Sequence, residues 1–167
     1  MKKVLLPLSL IAFIFVSSLS VSGQKTDLSG IWNLDRQKSV LPEYMPVLVK
    51  ITVILKGDSL LTQRVYAGGD GEEFPFTENL TLDGTENKIT IFDMPRKTKA
   101  IWSEQNNTMN LESTTTFNGS NGAEDFISNE TWKVDKTANT LTINFKNKTS
   151  GGESEGYFIF TGAEKAK

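Results

Sequence analysis

Apolar and polar residues alternate with a period of two along almost the whole chain beyond its apolar first segment. That alternation is the signature of strands that bury one face and wet the other. In the first such stretch, residues 28–35, Gly30, Trp32 and Leu34 share one face and Ser29, Ile31 and Asn33 the other. Val47, Val49, Ile51, Val53 and Leu55 then share a face while Lys50, Thr52 and Lys56 punctuate the opposite one. Gly57-Asp58 marks a tight turn, and 59–67 returns as the second arm of a hairpin. Gly68-Gly69-Asp70-Gly71 reads as a loop, followed by strands over 74–82 and 88–92. Asp93-Met94-Pro95 is expected to break the pattern, because proline has no ladder donor. Alternation resumes over 97–104, 109–117, 124–135, 140–148 and 156–161. About ten short strands with no amphipathic helix predict an all-β antiparallel barrel or sandwich. One long connection, 36–46, carries Leu41, Pro42, Tyr44, Met45 and Pro46 without a usable period. Its apolar side chains are expected to fold back over a barrel end or a sheet rim.

A Trp-x-aliphatic-Asp cadence occurs as Trp32-Asn33-Leu34-Asp35 and again as Trp132-Lys133-Val134-Asp135, with a looser echo at Trp102-Ser103-Glu104. Trp102 and Leu111 stand as far apart as Trp132 and Leu141, with Asn-containing turns between. One supersecondary unit is therefore expected twice, each tryptophan packing beside the returning leucine. Alternation also carries two glutamates onto apolar faces: Glu78 between Phe76 and Leu80, and Glu130 with Phe126, Ser128, Trp132 and Val134. An ionised carboxylate is costly in a dry core. Each glutamate must either pair with an inward cation, for which Arg64 and Arg96 are the candidates, or line a wet cavity.

Ahead of the first strand stand a positive start, Met1-Lys2-Lys3, an apolar run over 4–16 interrupted by Pro7 and Ser9, and a Ser-rich exit. Together they predict a secretory signal peptide, 1–23, cleaved after Gly23, and a secreted or periplasmic address. The run is shorter than the roughly 20 residues of a spanning helix. Residues 24–167, about 144 in number, suit a single domain. Without the two leader lysines the formal charge falls from −2 to about −4. Mild acidity with no basic run argues against nucleic acid as a partner.

The chain contains no histidine and no cysteine. That removes Ser-His-Asp and Cys-His nucleophilic mechanisms, the usual zinc, copper and haem ligand sets, and disulfides. The Gly68–Gly71 loop lacks the following helix of a phosphate-binding loop, and Asp70, Glu72 and Glu73 lack the spacing of a calcium loop. No cofactor and no metal are expected. Asn-x-Ser/Thr triplets at Asn79, Asn106, Asn118, Asn129 and Asn147 read as ordinary strand and turn composition. A membrane-embedded barrel is not expected, because the second faces carry Lys50, Lys56, Asn129, Lys133, Asn144 and Lys146 where lipid would demand apolar residues.

At Gly30-Ile31-Trp32 the first strand resembles the Gly-x-Trp signature of the lipocalin and wider calycin group. Along nearly its whole mature length the chain is similar to small secreted bacterial proteins described as lipocalin-like and mostly of unknown function. The likeness rests on residues 28–35 with Lys38-Ser39, on Leu80-Thr81-Leu82-Asp83-Gly84, and on Glu130-Thr131-Trp132-Lys133-Val134-Asp135 with Leu141-Thr142-Ile143. The resemblance implies an up-and-down barrel of about eight to ten strands. It further implies a tryptophan closing the bottom, an arginine lying across that ring, a capacity for small-molecule binding, and no catalytic residues.

The leading functional expectation is a secreted, non-enzymatic barrel that binds a small apolar or amphipathic molecule. Its mouth would be covered by Leu41, Tyr44 and Met45 and its cavity lined by Tyr66, Phe76, Trp102 and Trp132, with Glu78 and Glu130 on the inward faces. A barrel filled by its own side chains, acting as a structural or interaction module, is the alternative. A glycosidase using Glu78 and Glu130 ranks third. Trp32, with Arg64 or Arg96 across its ring, is expected to plug the end opposite the 41–46 loop.

Overall fold

A computed structural model describes residues 25–42, 46–119 and 122–164. The expected signal peptide, 1–23, and Tyr44 and Met45 lie outside the described residues. Ten strands follow in order: β1 (Gly30–Leu34), β2 (Val47–Lys56), β3 (Ser59–Ala67), β4 (Glu73–Thr81), β5 (Asn87–Ile91), β6 (Met94–Ser103), β7 (Thr108–Gly119), β8 (Gly122–Asp135), β9 (Thr140–Thr149) and β10 (Gly152–Glu164). They form one antiparallel sheet in the order β4-β3-β2-β1-β10-β9-β8-β7-β6-β5, and no helix occurs among the described residues. Each strand pairs with its chain neighbours except at two places: β1 closes onto β10, and β4 separates from β5. The outcome is an up-and-down, nearly closed barrel, an architecture compatible with the lipocalin-like expectation.

The seam left between β4 and β5 is closed in three different ways along its length. At one end the backbone reaches β6, with the Gly84 N–H donating to Ala100 O at 2.9 Å and the Trp102 N–H to Leu82 O at 3.3 Å. In the middle, the side chains of Glu78 and Arg96 meet across the gap. At the other end Phe92 sets its ring edge-on against Phe74 and Phe76, at centroid distances of 6.0 and 6.4 Å.

Up-and-down order alternates the connections between two ends. One end collects 57–58, 82–86, 104–107 and 136–139, and the chain enters there. Residues 25–29 cross this end as a strap. Lys25 pairs with Asp58 in the β2–β3 turn, the Thr26 N–H donates to Asn107 Oδ1 at 3.3 Å, and Leu28 is buried. Trp32 sits directly above, its Nε1 donating to Leu28 O at 3.0 Å and its indole folded back over residue 30, where a Cβ would approach the ring to 3.1 Å. A side chain two residues before this tryptophan would crowd its ring, which gives Gly-x-Trp a steric reason. Of the two inward arginines, Arg64 lies over Trp132, 5.0 Å from its ring centroid, and Arg96 lies over Phe76 at 5.5 Å. The arginine expected across Trp32 thus covers a different tryptophan.

The recurrent aspartate also has a local cause. Asp35 Oδ1 accepts from the N–H groups of Gln37 and Lys38, at 3.2 and 3.3 Å, and Asp135 Oδ1 from those of Thr137 and Ala138, at 2.8 and 2.9 Å. Each aspartate folds the turn that ends its strand, as short acceptors do.

Three local expectations are corrected. In β2, Leu48 rather than Val49 is buried with Ile51 and Val53, because the register shifts between Leu48 and Lys50 and the extra residue inverts the alternation before it. Pro95 does not break a strand: Phe92 and Asp93, both at positive φ, make the turn, and β6 starts at Met94. Pro95 is tolerated because the β6–β7 ladder begins only at Arg96↔Thr115. The two tryptophan hairpins are not copies, since Trp102 stands one residue before the end of its strand and Trp132 three. Their direct partners are Met109 and Ile143, not the leucines. Across β6–β10 these residues make one continuous row, Trp102–Met109–Trp132–Ile143–Phe158.

Candidate functional site

Inside the barrel, away from the strap, lies a cavity of about 460 Å³. It opens at the end of the barrel that holds the 68–72 loop and the Phe92-Asp93 turn. Pro42 and Pro46 stand at its rim, and Phe74, Phe76, Phe117, Phe126 and Phe158 furnish much of its wall. These phenylalanines occupy inward positions on β4, β7, β8 and β10, as alternation requires. Phe145 joins them because its ring rests on the backbone of Gly156, where a Cβ would come within 2.7 Å. Tyr66 stacks on Phe76 at 5.9 Å with planes 8° apart. The part of the connection running over 35–40 does not arch across the opening. It tracks β10, with the Val40 N–H on Tyr157 O at 2.9 Å and Ser39 Oγ accepting from the Ile159 N–H at 2.9 Å.

The floor is polar. Arg96, Thr115, Ser128, Glu130 and Asn147 all reach the cavity. Arg96 and Glu130 belong with the deeper Arg64 and Glu78 to a charge-balanced group of two arginines and two glutamates. Arg64 grips Glu130 with two parallel bonds, Nη1 to Oε1 at 2.8 Å and Nη2 to Oε2 at 3.1 Å, and Trp132 Nε1 adds a third at 2.7 Å. Arg96 donates through Nε to Glu78 Oε1 at 3.0 Å and through Nη1 to Thr115 Oγ1 at 3.0 Å, while Thr98 Oγ1 donates to the same glutamate oxygen at 2.6 Å. β3 and β8 stand on opposite walls, so Arg64–Glu130 ties the barrel across its lumen. Arg96–Glu78 ties it across the seam.

Burial alone would raise the Glu130 carboxyl. The charge of Arg64, the hydrogen bonds from Arg64 and Trp132, and the charge of Arg96 outweigh it and hold the group below the usual glutamate range. Burial would likewise lower the Arg64 guanidinium, but the Glu130 charge foremost drives it well above its ordinary value. Both members of this pair are therefore ionised at neutral pH.

Of the residues expected at the site, Tyr66, Phe76 and Glu130 line the cavity. Glu78 lies under the floor, engaged by Arg96. Trp102 and Trp132 belong to the packed row toward the strap, and Leu41 packs against the core. Sequence reasoning passed over Asn147, seen only as part of an Asn-x-Thr triplet, and Ser113 and Thr115. The series Met109, Leu111, Ser113, Thr115, Phe117 places both hydroxyls on the inward face, so the signal was present in the alternation.

A larger depression, about 730 Å³, lies on the outer face of β6–β10, rimmed by Lys99, Glu112, Lys146 and Glu155. Its charged side chains are exposed. Among the described residues no group of three or more acidic side chains could hold a metal ion, and no helix is long and apolar enough to cross a membrane. Neither protein-family models, nor curated proteins, nor solved structures yield a match to this chain.

Proposed function

We propose that this protein is an exported lipocalin-like barrel that binds a small apolar or amphipathic molecule in its lumen, without catalysing a reaction. The observation that carries the reading is the cavity of about 460 Å³, walled by aromatic rings and floored by hydrogen-bonding groups. Its size falls within the range of small-molecule sites, and one polar end inside an apolar wall suits an amphipathic occupant. A barrel filled by its own side chains would leave no such space, so the cavity weighs against the structural-module alternative. The glycosidase alternative needs a carboxyl with a raised pKa as general acid. Glu130 is held low and Glu78 is engaged by a guanidinium, which speaks against that use.

The test is native mass spectrometry and thermal unfolding of the delipidated protein against a panel of long-chain alcohols, amides, acids, sterols and aromatic metabolites. Binding of at least one class, lost in Ser128→Phe while the β-sheet circular dichroism persists, is the expected result. No binder in any class would overturn the proposal. Export is tested separately by N-terminal sequencing of the protein recovered from its host, with Gln24 expected as the first residue.

A further inference from the structure

Resting on that reading, we infer that the bound molecule is electrically neutral and carries a hydroxyl or amide at its buried end, and that the site discriminates against carboxylates. One guanidinium, Arg96, reaches the floor and a second, Arg64, is buried beneath it; in isolation they would invite an anion. Each is already matched by a buried carboxylate, Arg64 by Glu130 and Arg96 by Glu78. A ligand carboxylate placed there would add an uncompensated charge in a low-dielectric interior, beside two glutamates.

What the floor offers instead is a set of neutral partners. Thr98, Ser113, Ser128 and Asn147 form one cross-strand row over β6–β9, all facing inward. Ser128 and Asn147 reach the cavity. Asn147 Oδ1 and, on the far side of Ser128 in the row, Ser113 Oγ are buried without a hydrogen-bond partner. A buried polar atom left without a partner is unfavourable, so an occupant that donates to Asn147 would satisfy a group the fold leaves open. A hydroxyl both donates and accepts, and so matches a row of hydroxyls and an amide. The aromatic wall above would hold the apolar remainder.

The experiment uses tail-matched probes, 1-dodecanol, dodecanamide and dodecanoate, measured at pH 8 by isothermal titration and by displacement of a fluorescent apolar probe. The alcohol and the amide are expected to bind at least tenfold tighter than the carboxylate. Asn147→Leu is expected to weaken the alcohol about fivefold, the worth of one hydrogen bond, and to leave displacement by dodecane unchanged. Glu78→Gln removes the partner of Arg96 without touching the cavity wall and should improve the carboxylate relative to the alcohol about tenfold or more. Its folding is checked by the thermal transition with and without dodecanoate. A carboxylate that binds wild-type protein as well as the alcohol would overturn this inference and leave the binding function standing. An unchanged preference in folded Glu78→Gln would overturn the charge argument. Failure of all three probes and of the wider panel would instead bring down the proposed function itself.

Discussion

The two ends of the barrel are built from the same alternating strands and end in opposite states. At the strap end, Leu28, Trp32, Trp102, Trp132, Met109 and Ile143 are buried and close-packed. At the other end, seven phenylalanines and Tyr66 surround open space. Side-chain bulk does not explain the contrast, because the open end is at least as aromatic. What differs is the material supplied from outside the strands: residues 25–29 insert Leu28 under one end, while 35–40 run along β10 and leave the other uncovered by that segment. The two ion pairs mark the border between them. A barrel can therefore be stabilised by one half and free to carry a ligand in the other, since cavity-lining atoms that touch nothing contribute little.

The sharpest way to break this comparison is Glu130→Gln. It leaves Arg64 fully buried with no carboxylate, and urea denaturation should register a loss of about 3–5 kcal/mol. Glu78→Gln should lose less, because Arg96 reaches the cavity. Equal losses would remove the distinction between a pair that ties the walls and a pair that closes the seam. Next, Leu28→Ala at the packed end is expected to destabilise by about 3 kcal/mol, against about 1 kcal/mol for Phe126→Ala at the open end. A Phe126 variant as damaging as the Leu28 variant would mean that both ends are core.

The pH dependence follows from the direction of the Glu130 shift. Its folded pKa lies below the ordinary 4.5, so its contribution is fully present above 4.5 and is lost as pH falls through the lower folded value. Wild-type urea midpoints should fall more steeply below pH 4.5 than those of Glu130→Gln. Parallel acid limbs would show that Glu130 is not held low. The smallest effect belongs to the outer face. Lys146 and Glu155 make the same kind of charge pair at 3.3 Å but stand in solvent, and Lys146→Ala should leave the urea midpoint within experimental scatter.

Much of this was legible from alternation alone. Ser59–Ala67 and Val47–Lys56 have the limits that their turn residues predict, and of the two outcomes that the cost of burying charge allowed the inward glutamates, the structure takes the pairing with Arg64 and Arg96. Other features escaped for identifiable reasons. Bulges are invisible to a strict period of two, so Val49 was placed inward where Leu48 belongs. Cross-strand partners depend on turn length, so the equal Trp–Leu spacings suggested copies that register denies. Asn147 went unnoticed because one polar residue on a mostly apolar face gains meaning only when Ser113 and Ser128 arrive beside it from other strands.

By itself, then, the sequence determined which residues face inward, where most strands turn, and that two inward acids needed either an inward base or a wet cavity. Those are local consequences of pleat and of desolvation, and a single strand carries them. Only the tertiary structure decided who meets whom. Closing β1 onto β10 while leaving β4 apart from β5 brings Arg64 across the lumen to Glu130, directs Arg96 across the seam to Glu78, and lays Arg64 over Trp132 rather than over Trp32. The physical reason is that opposition across a barrel is set by strand order and stagger, quantities that belong to the closed sheet and to no strand within it.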